Sequence, residues 1–461
     1  MHKLLIMKLY LLVLLFLAWS LNMTAQYSAG IGRKVITPDI PVWLSGYASR
    51  NKPADGVLHD LWAKALAVED EKGNRIVIVT LDIIGLSHEL SEKITETISL
   101  KHRLSRSQLL LNTSHTHSGP VIYPSLGIMY DLGKEEMGAL VKYQKKLTEG
   151  IVEAVGMAIG DLSPVSIFIG HGSAGFAVNR RQQTEKGMVI GVNKEGPVDH
   201  DVPVLKVETP EGQLKAVLFG YACHNTTLDI YQVNGDYAGF AQIEIEKANP
   251  GVTAMFIAGC GADQNPDPRR SVEMAQRHGK ELASAVCEVL EGEFKTVGTP
   301  VRTGFASVDL ELAPVSMESY NQDLAGENRY KAARAQFILS AMDKGYDVNS
   351  LVYPVQAVRF GKDFTILALG GEVVVDYSLI SKKRYPKENL FVAGYCGEVP
   401  CYIPSARILR EGGYEPETSM IYYGMPGPFS ENVEAKVFSA IDRVMKKTGA
   451  KPVTRNYTTA F

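Results

Sequence analysis

The sequence has little cysteine, no block of like charges and only one long apolar run. Five cysteines in 461 residues are too few for a disulfide scaffold, and the odd count leaves at least one unpaired within the chain. Cys396 and Cys401 are placed to pair in an oxidising compartment, or equally to stand as small loop residues. A formal net charge of -3 offers no electrostatic footprint for nucleic acid. The expected partner is a small or medium-sized molecule. Beyond residues 9–21 no segment is apolar for the roughly 20 residues that a spanning helix needs. No internal repeat and no Ser/Gly-rich or Pro-rich linker divides the chain.

What is present at the N-terminus is a leader pattern. Lys3 and Lys8 precede the apolar residues 9–21, and Met23-Thr24-Ala25 supplies the small residues a signal peptidase prefers. Residues 1–25 are therefore expected to be a signal peptide cleaved after Ala25. The apolar run is short for an anchor, and no cysteine follows it to carry a lipid, so stable membrane insertion is the weaker reading. The expected location is exported, either periplasmic or secreted. The mature part, residues 26–461, is 45% hydrophobic and 21% charged when taken with the leader, as in globular proteins with a large core.

Short apolar runs bounded by Gly, Pro and Asn alternate with stretches of helical period, which predicts an α/β fold with a mixed sheet. Residues 76–81, IVIVTL, are apolar on both faces and rich in β-branched side chains, as in a strand covered on both sides. Leu90, Ile94 and Ile98 recur every four residues behind Ser87, a natural helix cap. Further helices are expected over residues 135–162, 272–291 and 430–447. A seam between two lobes is expected near residues 293–300.

Four apolar runs lead into residues able to bind metal or move a proton. Leu109-Leu110-Leu111 leads to His115 and His117, Val217-Leu218-Phe219 to His224, Met255-Phe256-Ile257 to Asp263, and Ile366-Leu367-Ala368-Leu369 to Glu372. Ligand sites in α/β sheets lie beyond the carboxyl ends of strands, where distant segments converge. Histidines at i and i+2 share a face of extended chain. With a third histidine and a carboxylate they form an N/O donor set suited to zinc rather than calcium or magnesium. A histidine after a strand is also a common hydrogen-bonded core residue, and Glu372 after Gly370-Gly371 reads equally as a surface turn. The residues alone leave both readings open.

Residues 112–120, NTSHTHSGP, resemble the signature of neutral and alkaline ceramidases, zinc amidases that cleave the N-acyl bond of ceramide. Asn179-Arg180, His224-Asn225-Thr226-Thr227, Gly261-Ala262-Asp263-Gln264-Asn265-Pro266, Gly371-Glu372, and Ala393-Gly394 followed by Tyr402 and Tyr414 match the family in the same order. The resemblance implies Zn2+ bound by His115, His224, Glu372 and the Tyr402 phenol, and an acylated, lipid-like substrate. His117 is then the general base and later the acid to the leaving amine. Arg180 and Tyr414 would donate to the tetrahedral oxyanion. Without the resemblance, the tyrosines read as core aromatics and Arg180 as half of a surface ion pair, one of Arg180 and Arg181 being solvated.

Three departures stand out. Asn265 occupies the place of the family's active-site serine; an amide hydrogen-bonds but is not acylated, which weakens ceramide as substrate more than it weakens hydrolysis. Val121-Ile122 replace glycines, and Arg181-Gln182 replace small residues, both placed to line a substrate path. The chain stops soon after its last helix, so the immunoglobulin-like C-terminal domain common in ceramidases is not expected. An esterase or lactonase on the same site, or a ligand-binding relative without turnover, are the alternatives.

Overall fold

A computed structural model of the chain describes residues 26–453; the expected leader, residues 1–25, lies outside them. Nine strands make the first sheet. Eight of them are β1 (Tyr27–Val35), β2 (Trp62–Asp70), β3 (Arg75–Leu81), β4 (Leu109–Thr113), β5 (Ser163–Ser173), β6 (Asp201–Glu208), β7 (Leu214–Tyr221) and β8 (Thr253–Ala258). Their spatial order is β8-β7-β6-β5-β1-β2-β3-β4, and Lys295–Thr296 pairs onto β5. A second, four-stranded sheet follows in the order β9 (Val301–Glu311), β10 (Ser350–Phe360), β11 (Phe364–Leu369), β12 (Leu390–Ala393). Both sheets are mixed. The parallel neighbours β3/β4, β7/β8 and β11/β12 supply the carboxyl ends from which the candidate residues emerge.

The two sheets pack face to face through one apolar layer that includes Ile76, Ile78, Leu110, Val358 and Ile366. Helices cover the outer faces. α1 (His88–His102) and α2 (Lys134–Gly160) lie against β1 to β4, while α3 (Asp236–Ala248) and α4 (Val272–Glu291) lie against β6 to β8. An excursion between β9 and β10 forms the hairpin α5 (Met317–Ala325) and α6 (Arg329–Asp343), with a small core of Tyr320, Ala335 and Ile338. α7 (Val375–Arg384) and α8 (Val433–Lys447) cover the second sheet.

Strand β3 explains its own sequence: Val77 and Val79 face the helices, Ile76 and Ile78 the second sheet. A strand buried on both faces cannot alternate apolar with polar. Ser87 caps α1 by accepting from Leu90 N–H, and Leu90, Ile94 and Ile98 are buried. The last helix starts at Val433, later than its periodicity suggests; Ser430 N–H bonds Glu311 O at the end of β9. Residues 293–300 carry the chain from one sheet to the other, with Val297 and Val301 in the layer between them. All five cysteines are free, and Cys396 and Cys401 are buried without a bridge. Among the described residues no helix is long and apolar enough to cross a membrane.

The edges of the first sheet meet through one side chain. Ala258 N–H at the end of β8 donates to Asn112 Oδ1 (2.9 Å), and Asn112 Nδ2 donates to Gly394 O just beyond β12 (2.8 Å). This buried amide takes over ladder bonds that neither edge strand can make alone. It gathers the carboxyl ends of β4, β8 and β12 at one point.

Candidate active site

From β4 the chain turns sharply into His115, whose backbone is left-handed at φ 59°. Ser114 N–H bonds Leu81 O (2.8 Å), His115 N–H bonds Ile83 O (3.0 Å), and the His115 ring stacks on Tyr395 at 4.5 Å. A non-glycine residue persists in this conformation only where its surroundings over-determine it, which is common at functional sites. The turn brings three rings together: His115 lies 5.0 Å from His117 and 5.0 Å from His224, and His117 lies 5.7 Å from His224. One nitrogen from each falls within 4.8 Å of the other two.

The tautomers follow from the partners. His115 Nδ1 is 2.5 Å from Ile84 O and His224 Nδ1 is 2.9 Å from Gly261 O. A carbonyl only accepts, so each Nδ1 carries a hydrogen, and in the neutral ring Nε2 is the lone pair. Burial, with the Arg180 charge adding to it, holds His224 down to about 4, so its Nε2 is unprotonated near neutral pH. Both Nε2 atoms point at the same carboxylate oxygen: Glu372 Oε2 is 3.1 Å from His115 Nε2 and 3.0 Å from His224 Nε2. Glu372 Oε2 meets no hydrogen-bond donor apart from these two ring nitrogens. Three buried acceptors facing one another repel unless a cation sits among them. With the Nδ1 atoms anchored on carbonyls, this is also how metal-ligating histidines are oriented.

The remaining groups surround that point. Tyr402 OH is 3.4 Å from His224 Nε2 and accepts from Arg180 Nη2 (3.1 Å). Tyr414 packs 5.5 Å from Tyr402, and the Arg180 guanidinium lies 5.4 Å from its ring. Neither Arg180 nor Arg181 is solvated, against the expectation that one would be: both are buried, and Glu415 receives Arg180 Nε (2.8 Å) on one oxygen and Arg181 Nη1 on the other. A shared carboxylate neutralises part of the pair and fixes the direction of both planes. Glu372 is buried too, not a surface turn. His117 is nearly buried with neither ring nitrogen hydrogen-bonded.

Residues 27–291 match the description of neutral/alkaline non-lysosomal ceramidases, N-terminal part. The chain belongs to this family. It is 26% identical to neutral ceramidase B of Dictyostelium discoideum over 261 residues, 53% of this chain and 35% of that protein. It is 24% identical to the neutral ceramidase of Pseudomonas aeruginosa over 322 residues, 63% of this chain and 46% of that protein. The matches thus span about a third to a half of these relatives' length. The crystal structure of the Pseudomonas aeruginosa enzyme has the same fold, with a TM-score of 0.71 at 18% identity over 95% of this chain and 77% of that one.

Within this ceramidase-family site, the side chains of Asp263 and Asn265 make no hydrogen bond to the histidines among the described residues. The Asp263 carboxylate accepts from Val375 N–H (2.8 Å) and Asn179 Nδ2 (3.1 Å), and burial, with Asp376 next, pushes its pKa up to about 7. Asn265 lies on the short strand Gln264–Pro266, whose Gln264 O accepts His224 N–H (3.0 Å); its Oδ1 faces Thr226 Oγ1 at 3.4 Å. Val121 and Ile122 are fully buried.

The sequence did not single out three residues that shape the site. Tyr423 OH donates to Glu372 Oε1 at 2.5 Å, and nothing distinguishes it from the neighbouring tyrosines in the sequence. Gly46, at φ 95°, has its hydrogen where a Cβ would sit 2.3 Å from His117 Nδ1. Glu415, directly after Tyr414, carries the only local signal: an acid adjacent to a candidate residue, with two arginines elsewhere lacking a partner.

Proposed function

We propose that the chain is an exported zinc-dependent amidohydrolase that cleaves the N-acyl bond of an acylated, lipid-like amine. The observation that carries this reading is the convergence of His115 Nε2 (3.1 Å) and His224 Nε2 (3.0 Å) on one buried carboxylate oxygen, Glu372 Oε2. These atoms, with the Tyr402 hydroxyl as fourth ligand, would hold zinc; the N/O composition and the anchored Nδ1 atoms fit that ion. Zinc bound there supplies Lewis-acid polarisation of the scissile carbonyl and a nucleophile at neutral pH.

The chain's own residues do the rest. His117, with both nitrogens unpartnered and burial favouring its neutral form, takes a proton from the attacking water and returns it to the leaving amine. Arg180, oriented by Glu415, and Tyr414 beside it donate to the oxygen on which charge develops. Because they are held before substrate arrives, little reorganisation is needed as the charge forms.

A cavity of about 620 Å3, lined by Tyr123, Ile128, Phe337, Val399, Tyr423 and Met425 among others, supports a substrate with an apolar chain. Tyr423 is common to this cavity and to Glu372. Asn265, which hydrogen-bonds but cannot be acylated, favours an acylated amine other than ceramide. The test is metal content and hydrolysis by purified protein, using N-acyl amides, ceramide and matched esters. Stoichiometric zinc with amide cleavage is expected; absence of bound metal, or preference for the ester, would sink the reading.

A further inference from the structure

Neither ring nitrogen of His117, the group assigned the proton transfers, has a hydrogen-bond partner among the described residues. A catalytic histidine is ordinarily aimed by a carboxylate or carbonyl on its second nitrogen, just as Ile84 O and Gly261 O aim the rings of His115 and His224. Without such a bond an imidazole turns readily about its Cβ–Cγ axis, where the rotamer wells are broad. His117 is aimed by contacts instead. The rings of His115 and His224 flank it at 5.0 and 5.7 Å, and residues 46–50 supply a second wall.

Gly46 closes the Nδ1 edge, where a Cβ would lie 2.3 Å from the nitrogen. Tyr47 packs its ring on the imidazole, with centres 4.8 Å apart and planes tilted by 59°. Tyr47 is itself held on several sides. Its hydroxyl donates to Leu228 O (3.0 Å), and the guanidiniums of Arg50 and Arg270 lie 4.9 and 5.5 Å from its ring centre, distances at which a cation is drawn to an aromatic face. Both cations are fixed in turn. Arg270 pairs with Asp229 (2.9 Å). Arg50 is buried and donates to Ser45 O, to Ile230 O (3.2 Å) and to His117 O (2.7 Å). One guanidinium thus grips the main chain of His117 and the ring that packs on its side chain.

We propose that Tyr47 is a positioning residue for the reaction: in place of a hydrogen bond, its ring fixes the plane of His117, and Arg50 locks the two together. The proposal rests on the amidohydrolase reading above, in which His117 moves the proton, and adds the group that aims the transfer. Orientation by contact leaves both nitrogens of His117 free for the two proton transfers. Tyr47 acts through His117 and is not itself a catalytic residue.

Two measurements test it on wild type, Tyr47→Phe and Tyr47→Leu, each checked for Tm and metal content. The first needs no turnover: in protein carrying isotope-labelled histidine, the His117 ring resonance is identified by its loss from His117→Gln, and relaxation reports how far the ring moves. Tyr47→Leu, which removes the flat face, is expected to lower the order parameter of that ring; Tyr47→Phe, which keeps the face and loses only the bond to Leu228, is expected to preserve it. The second is hydrolysis of N-lauroylethanolamine. Tyr47→Leu is expected to lower kcat/KM by about ten- to a hundredfold, mainly in kcat, since a misplacement of about 1 Å costs about 10²-fold, and Tyr47→Phe to keep most of the rate. In a His117→Gln background Tyr47→Leu should cost nothing further, because the two act as one unit. An unchanged order parameter in Tyr47→Leu, an equal loss in both backgrounds, or a Phe variant as damaged as the Leu variant would overturn the proposal while the hydrolase stands. If wild type cleaves no N-acyl amide the hydrolase reading falls, and a His117 ring loosened in Tyr47→Leu but not in Tyr47→Phe still supports the placement.

Discussion

Two buried polar clusters sit on the first sheet, and they differ in whether the protein completes them. In one, Lys64 Nζ donates to Gln242 Oε1 (3.0 Å), Glu246 Oε1 (2.8 Å) and Ala254 O (2.7 Å), while Asp82 accepts from Trp62 N–H (3.0 Å) and Gln242 Nε2 (3.4 Å). Donors meet acceptors throughout. In the other, two imidazole lone pairs and a carboxylate oxygen face each other, and His117 has no partner at either nitrogen. Lys64 and Asp82 are buried, as are His115, His224 and Glu372. What separates scaffold from site is the sign of the facing groups: a finished network needs nothing from outside, whereas an acceptor-only cluster is incomplete without a cation.

The comparison breaks most visibly if the incomplete cluster keeps its function after losing a member. His115→Ala is expected to lose stoichiometric metal and all detectable amide hydrolysis. Dialysis against a strong chelator should do the same to wild type, and added zinc should restore wild type but not the variant. Elemental analysis together with a rate assay reads both effects. Full activity in His115→Ala would remove the site from the histidine cluster.

His117→Gln is the next largest change. It is expected to lower kcat/KM by about 10²–10⁴, the usual worth of general acid–base catalysis, while metal stays bound. Loss of metal as well would make His117 a ligand, a role its position within 4.8 Å of the other two histidines also permits. Lys64→Met tests the finished cluster instead. Removing the ammonium takes the charge partner from Glu246 and leaves Gln242 Oε1 and Ala254 O without their donor, and is expected to cost about 1.5–3 kcal/mol of stability, read as a fall in Tm, with metal content unchanged. A folded Lys64→Met protein without metal would mean that the clusters are not independent.

The contrast also explains how much of the molecule can be read from its sequence. Strand β3 and helix α1 were legible because burial on one or two faces writes a period of its own: the run at residues 76–81, and the recurrence at Leu90, Ile94 and Ile98 behind Ser87. The convergence of His115, His224 and Glu372 was legible because each follows an apolar run, and parallel strand pairs put those ends on one side. Asn112, by contrast, reads as an ordinary member of a motif, yet it closes the sheet, because a bond between the ends of β4, β8 and β12 belongs to no single segment. The reading from the residues alone, that one of Arg180 and Arg181 is solvated, fails for the same reason. Their burial depends on Glu415, more than two hundred residues away, and adjacent charges in isolation suggest solvent.

Tyr423 sharpens the comparison most finely. In the Lys64 cluster the carboxylate of Asp82 is held by donors at both oxygens; in the histidine cluster Glu372 has a donor at Oε1 only, from Tyr423, and its Oε2 faces the two lone pairs. The tyrosine therefore sets the rotation of the carboxylate and so determines which oxygen is presented. Tyr423→Phe keeps the ring against the cavity wall but frees that rotation, and is expected to weaken metal affinity by about 10- to 100-fold, as loss of an orienting partner does in metal sites. Competition with a chromophoric chelator measures it, and kcat at saturating metal should fall far less than affinity. Equal affinity in Tyr423→Phe and wild type would show that the two histidines and their carbonyl anchors suffice to orient Glu372, so that the open oxygen follows from packing rather than from the hydroxyl.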